Sequence, residues 1–370
     1  MRIFAYILPV AAAVYLIAAT GNWDIWYWYL AGVAAIELVL FLCQRGIFKV
    51  KEYLSGFAVS AEHHFPWTEK VTRTETYTDS KGKTHTRTTV KYVYHPDEWY
   101  WSLNTGKAFA ICEEEFQNCR DSWRTEPIEI FPYHANCVSG GGGVAYQWDQ
   151  DRRTAYTVTY TGKYKNYVRN SHSIFRTDEI DRKTARELGL IDYPVINGWE
   201  QDVIASSSKL GTDIMHGPMN QREFHLLNAF NGMKNQIHIF ALLFPASSGI
   251  GIAEKQRAYW QGGNKNEFTV CLGVEREDGK GIVRWCKCFS WCDEPYLEAA
   301  TEDYFLTHTV LNWTMFSRWL QGNIHLWRRK EFSDFKYLGL KGSVKQNLSF
   351  YAISIILCAI GAFIAIRCNL

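Results

Sequence analysis

Apolar and polar positions are spread unevenly along this chain. Three nearly uninterrupted apolar segments, Ile3–Ala19, Ile25–Cys43 and Leu348–Ile366, occupy its two ends. Each runs 17 to 19 residues, close to the roughly 20 that a helix needs to cross a bilayer core of about 30 Å. The pattern predicts a transmembrane helical hairpin over 1–45, turning at 20–24, and a C-terminal transmembrane helix over 347–370. Between them the texture changes. Lys70–Tyr94 alternates in Thr, Val and Tyr around Asp79-Ser80-Lys81-Gly82-Lys83, which predicts a long β-hairpin. With Lys81-Gly82 as its loop, Val71 faces Tyr92 and Tyr77 faces Thr86. Ser139–Gly143 predicts a subdomain boundary or a mobile loop. Thr154–Tyr160 alternates again, with Gly162 as a turn into a return strand over Tyr164–Val168. A short helix follows, with Asp178 at its start and Gly189 after it.

From Asn220 the pattern becomes α/β. Gln221–Met233 carries Phe224, Leu227 and Phe230 at helical spacing. Ile237–Phe244 is a continuous apolar run, as in a strand covered on both faces. A helix over Ile252–Trp260, strands over Phe268–Val274 and Ile282–Trp291, and a long helix from Pro295 to about Leu326 complete the set. The expected fold class is integral membrane α+β: three transmembrane helices around a soluble domain, β-rich in its first half and α/β in its second. The segments are 1–45, 46–138, 144–215, 216–330, a basic juxtamembrane stretch 331–346, and 347–370.

Charge sets the expected orientation. Arg45, Lys49 and Lys51 follow the second apolar segment, and Trp327, Arg328, Arg329, Lys330, Lys336, Lys341 and Lys345 precede the third. Juxtamembrane Lys and Arg favour the cytoplasmic side. This predicts a multi-pass protein of the cell membrane with its main domain in the cytoplasm. Trp327, Arg328, Arg329 and Lys330 are then the membrane-surface residues, and anionic lipids are expected partners. Glu37 is the acidic group at membrane depth, and Trp23–Tyr29 is an aromatic belt. The net charge of +2 leaves no broad nucleic-acid footprint, so no nucleic-acid partner is expected. Of ten cysteines, the odd number outside the apolar segments agrees with a reducing compartment.

Few residues carry recognisable chemistry. Cys286, Cys288 and Cys292 form C-x-C-x3-C, but neighbours i and i+2 on a strand diverge too far for zinc or a disulfide. The expectation is small core packing and no metal. His63-His64 beside Glu62, and His95 beside Asp97 and Glu98, read as hydrogen-bonded surface groups. The most site-like stretch is Trp260–Glu267, where glycines precede Asn264, Lys265, Asn266 and Glu267. These four supply amide donors, a cation and a carboxylate to an anion or divalent ion, or else make a hydrogen-bonded turn that ends the helix and starts the strand.

The order helix, strand, helix, glycine turn, buried strand, hairpin over residues 220–291, with IHIFALLF and YWQGGNKNEFTVCLGV, resembles the TPM domain family. That resemblance implies a small α/β domain, often membrane-tethered, associated with phosphatase activity or divalent-ion binding. Asn264, Asn266 and Glu267 are the positions nearest the family's acidic turn. The function expected first is a membrane-anchored binding or assembly protein that engages a membrane-protein partner or a second copy, without a cofactor. The alternative is a TPM-like hydrolase or divalent-cation-binding domain.

Overall fold

A computed structural model describes residues 49–330, except 131–135, 166–179, 197, 201–202, 212–220 and 293, with nine isolated positions nearer the two ends. The chain forms two compact units: Glu52–Gly162 with Asp178–Lys330, and Met1–Lys51 with Lys163–Thr177 and Glu331–Leu370. The membrane class expected above is corrected. The described fold is a β-rich α+β fold with six α-helices among the described residues, none long and apolar enough to cross a membrane. The longest has 13 residues, about 20 Å at 1.5 Å per residue, against a core of about 30 Å. The three segments expected to span lie outside the described residues save for those isolated positions, and so do Glu37 and the 331–346 stretch.

Three sheets build the described fold. In the first, β1 (Lys49–His64) is central. The β-ribbon of β2 (Trp67–Thr78) and β3 (Thr84–His95) follows it. Next come β4 (Glu98–Leu103) and β5 (Ala108–Ile111), then helix α1 (Glu113–Ser122). β6 (Ile128–Ile130), β7 (Cys137–Gly140), β8 (Gly143–Gln147) and β9 (Thr157–Lys165) complete the first half. β1 pairs antiparallel with β4 and β8, while β7 pairs with β2. Trp101, Phe116, Trp123, Val158 and Tyr160 fill the core beneath.

The glycine run is not a linker. It carries the chain from β7 to β8 as β1 passes into β2, so the two crossings lie side by side. Gly140, Gly141 and Gly142 have φ of 74°, 88° and 89°, the left-handed region that favours glycine. A Cβ on Gly143 would lie 2.2 Å from the His63 carbonyl oxygen, and one on Gly140 2.3 Å from that of Pro66. Backbone contact, not flexibility, accounts for the run. Gly162 likewise is not a turn: it lies inside β9, where a Cβ would meet Leu54 at 2.6 Å. Residues 166–168 of the expected return strand lie outside the described residues.

The second half begins with α2 (Arg182–Leu188), capped by Asp181, whose side chain accepts from Thr184 N. The expected cap, Asp178, lies outside the described residues. β10 (Trp199–Glu200) joins β9, and β11 (Ile204–Ser206) starts a four-stranded sheet. Its other strands are β12 (His238–Pro245), β13 (Glu267–Glu277) and β14 (Lys280–Ser290). β11, β12 and β13 run parallel, and β14 returns antiparallel. Helix α3 (Gln221–Gly232) precedes β12, and α4 (Gly251–Tyr259) makes the crossover from β12 to β13. α3 is tied to β12 by Asn228, whose side chain both accepts from Ile239 N (2.6 Å) and donates to Ile239 O (2.9 Å).

The long helix expected from Pro295 is two helices, α5 (Pro295–Thr307) and α6 (Trp313–Asn323). Between them Val310 bridges Ile282, Val283 N donates to Thr309 O, and Leu311 N donates to Gly281 O. The β-branched Thr309-Val310 thus pairs with the β13–β14 hairpin instead of continuing the helix. Asn312 then restarts it as an N-cap, accepting from Met315 N at 3.0 Å.

A candidate functional site in a buried carboxylate cluster and an exposed ribbon

The four candidate residues 264–267 lie where α4 gives way to β13. Gln261, Gly262 and Gly263 all have positive φ, 54°, 80° and 79°, and turn the chain back on the helix end. Gly263 also has no room for a side chain, since its Cβ would lie 2.7 Å from Glu267 Oε2. The turn delivers Asn264 onto Glu267. Asn264 N donates to Oε2 at 2.7 Å, and the Asn264 amide donates to Oε1 at 2.8 Å.

A third donor arrives from far along the sequence. Gln256 on α4 clamps Ile191 through both main-chain groups, at 2.8 and 2.9 Å, and Trp260 Nε1 donates to Ile191 O at 2.7 Å. That pins the segment after α2 over the helix. It brings the Tyr193 hydroxyl to Glu267 Oε1, to which it donates, and the Asn264 amide donates to the same hydroxyl at 2.5 Å. Tyr193 stacks on Tyr53 of β1 with ring centroids 5.5 Å apart.

Glu267 is completely buried. Burial pushes its carboxyl up to about 7, against the pull of the Tyr193 and Asn264 donors, and the carboxylate of Glu52 adds to the rise. Burial and the adjacent Glu267 hold the Tyr193 hydroxyl well above its usual range. One strand over, His238 pairs with Glu267 in the β12–β13 register. It is fully buried and neutral, pushed down to about 3 by that burial. Its Nδ1 meets Ser55 Oγ at 2.9 Å, while Nε2 has no hydrogen-bond partner among the described residues. Asn266 donates to Tyr53 O at 2.6 Å, and its own carbonyl accepts from His238 N at 2.7 Å. Lys265 is buried too, and its carbonyl accepts the Cys292 thiol at 2.9 Å.

The structure therefore brings Asn264, Asn266 and Glu267 together with Tyr53, Ser55, Tyr193 and His238. Both oxygens of the carboxylate are occupied by donors of the chain itself, and no part of it faces solvent. The cluster can hold or release a proton and can pin strands together. Among the described residues, no three His, Cys, Asp or Glu side chains converge as a metal-holding group. The histidines near the surface are paired off: His63 with Asp97 at 2.7 Å, His64 with Glu62 at 3.0 Å and His95 with Glu69 at 3.1 Å.

Of the residues expected at a membrane surface, Trp327 is buried, Arg329 and Lys330 are half-buried and Arg328 is exposed. The Trp327 ring lies 6.2 Å from that of Phe268. Arg329 pairs with the buried Glu52 at 2.8 Å, and Lys330 N donates to Cys292 Sγ at 3.3 Å. Arg328 lies between these anchored neighbours. Burial raises the Glu52 carboxyl, and Arg329 opposes that rise. Cys286 and Cys288 are buried as expected, but their sulfurs turn towards each other, to 4.0 Å. The seven described cysteines are free thiols.

The ribbon is the opposite case. Its register differs by one residue from the expected one: Val71 faces Lys91, Tyr77 faces His85 and Thr78 faces Thr84. Asp79 sets it, accepting from both Lys81 N and Lys83 N at 2.9 Å and enlarging the loop. The shift changes which residues share a face. One face now carries Thr72, Thr74, Thr76, Thr78, Thr84, Thr86 and Thr88 with Val90, Tyr92 and Tyr94. The other carries Val71, Arg73, Glu75, Tyr77, Arg87 and Lys91. From Lys70 to the loop β2 is exposed throughout, and β3 nearly so. Only the root of the ribbon pairs with β7, through Trp67, Thr68 and Glu69. Comparison with protein-family models, curated proteins and solved structures returned no match.

Proposed function

We propose that this chain is a binding and assembly protein whose working element is the β2–β3 ribbon. The observation that carries this reading is a twelve-pair antiparallel ladder with both faces open to solvent and Val71, Tyr77, Val90, Tyr92 and Tyr94 exposed on it. A two-stranded ribbon of this kind is marginal by itself, and its unpaired edges template further strands. A partner that covers a face or an edge supplies the missing burial. The Glu267 cluster supports the same reading from the other side, because a carboxylate with both oxygens engaged and no exposed surface offers a substrate nothing to touch.

The test removes the ribbon and leaves its root. Residues 72–90 are replaced by Asn-Gly, a two-residue loop that closes antiparallel strands, joining Val71 to Lys91. Light-scattering mass is then followed over a micromolar concentration series beside the intact chain. Concentration-dependent assembly of the intact chain that disappears on truncation supports the reading. Identical mass profiles overturn it.

A further inference from the structure

Within the reading just proposed, we infer that the ribbon's partner is a second copy of this chain, docked edge to edge along β2 about a two-fold axis at Thr74. The argument starts from which main-chain groups point outward. Lys70 N donates away from β3, to Asn136 O at 2.9 Å, whereas Asp79 N donates towards β3, to Lys83 O at 3.0 Å. Antiparallel ladders alternate residue by residue. Thr72, Thr74, Thr76 and Thr78 therefore present their N–H and C=O groups to the free edge. On the edge away from β3, no strand among the described residues pairs with β2 beyond Lys70.

The side chains of this edge are self-complementary. Laid antiparallel on itself about Thr74, the segment Val71-Thr72-Arg73-Thr74-Glu75-Thr76-Tyr77 places Arg73 opposite the partner's Glu75. The same operation sets Thr72 opposite the partner's Thr76, Val71 opposite the partner's Tyr77, and Thr74 opposite itself. Opposite charges, Thr–Thr pairs and aromatic–β-branched pairs are the combinations that stabilise neighbouring strands. The alternation also puts the charges in the close, non-hydrogen-bonded positions, with Cα atoms about 4.5 Å apart. Thr74 with its own copy, and Thr72 with the partner's Thr76, exchange the main-chain hydrogen bonds.

A two-fold normal to the sheet keeps each face on its own side, so the threonine faces of the two ribbons join into one four-stranded surface. The arrangement closes as a dimer, as an isologous contact must. The ion pair that Arg73 makes with Glu75 of its own strand, at 2.9 Å, is solvent-exposed on both sides and costs little to exchange for the partner's. The other edge does not share this property. β3 carries Arg87 and Lys91 and no carboxylate, so pairing it with its own copy gathers like charges.

Charge reversal tests the register on the full chain. Arg73→Glu sets carboxylates opposite one another at two symmetric places and weakens dimerisation about tenfold or more. Glu75→Arg does the same with cations. The double variant Arg73→Glu with Glu75→Arg restores opposite charges and returns the dissociation constant to within about threefold of the original. Thr74→Cys then cross-links to its own copy under mild oxidation, its Cα separation of about 5.5 Å falling within the disulfide range. Thr76→Cys faces the partner's Thr72 and stays at the background of the exposed Cys112. Failure of the double variant to restore dimerisation, or equal cross-linking at 74 and 76, overturns the inferred register. If assembly is nevertheless lost on truncation to Asn-Gly, the binding reading survives with another contact. If truncation changes nothing, both fall.

Discussion

Replacing Glu267 by Gln is expected to change how stability depends on pH, and the structure sets the size of the change. The carboxyl is completely buried and held near 7 instead of the usual 4.5. Between those values the folded chain binds a proton that the unfolded chain lacks. A carboxyl raised in the folded state contributes most stability at low pH. That contribution shrinks as pH climbs from about 4.5 to about 7 and is flat above. At 1.36 kcal/mol per tenfold change in proton affinity, the interval amounts to about 3 kcal/mol. Full burial means that solvent screening takes little from it.

The Gln variant has no such proton. Its side-chain nitrogen replaces one carboxylate oxygen, and the three donors around the site leave it facing an N–H, at a fixed cost of about 1–3 kcal/mol. Subtracting wild-type from variant stability cancels the other titrating groups, His238 included. The difference should therefore move by about 2.5 kcal/mol in the variant's favour between pH 5 and pH 8. Urea unfolding followed by tryptophan fluorescence at pH 5, 6, 7 and 8 measures it. A gap between the two curves that stays constant to within about 0.5 kcal/mol refutes the claim that Glu267 holds a proton near neutrality.

Three further perturbations follow from the same geometry. Arg329→Ala leaves Glu52 buried without its partner and should cost about 3–5 kcal/mol in chemical unfolding, most of it recovered when Glu52→Gln is added. His238→Phe removes a group held neutral to about pH 3 instead of 6.5. The stability it contributes is full above 6.5 and is lost as pH falls through about 3, so the variant should resist acid unfolding better, by an amount on the order of 4 kcal/mol between pH 6.5 and pH 3. Gly143→Ala forces a Cβ to 2.2 Å from the His63 carbonyl and should cost at least about 3 kcal/mol, seen as a lower thermal midpoint with early exchange of the β8 amides.

Short-range patterns in the sequence were legible, and distant ones were not. The ribbon, the apolar strand at 238–245 and the crossover helix follow from alternation and helical spacing, because each is decided by neighbours in the chain. The ribbon's register required knowing that Asp79 accepts two main-chain donors, a one-residue effect that reverses every face. The glycine run looked flexible because sequence shows the absent side chain and hides the carbonyl that fills its place. Asn264–Glu267 stood out as polar residues between a helix and an apolar strand. Tyr193 and Tyr53 did not, since Tyr193 reaches Glu267, and Tyr53 stacks on Tyr193, only through the folding of segments 74 and 214 residues away. His238 had left a signal: it is the one polar residue inside IHIFALLF, and a buried strand tolerates such a residue only when something satisfies it. The apolar termini dominated the sequence pattern, yet every element of the described fold lies between them.

The carboxylate cluster and the ribbon share one strand. β1 brings Tyr53 to Asn266 and Ser55 to His238, the neighbours of Glu267, at one end and, after His64, leads into β2 at the other. At 3.3 Å per residue, Ser55 and His64 are separated by up to about 30 Å. Two sites that far apart, without a shared partner, perturb stability additively. Coupling between them needs an element with two discrete arrangements that both sites bias. β1 is held along the intervening stretch by β4 and β8, residue against residue from Ser60 to His64, which leaves it a single arrangement. Glu267→Gln should accordingly leave ribbon-mediated assembly unchanged to within about 0.5 kcal/mol, measured as the dissociation constant at pH 6 and pH 8. A pH-dependent dissociation constant that the Gln variant abolishes would require β1 to slide between registers, and the close approach of Gly143 to His63 is what would have to give way.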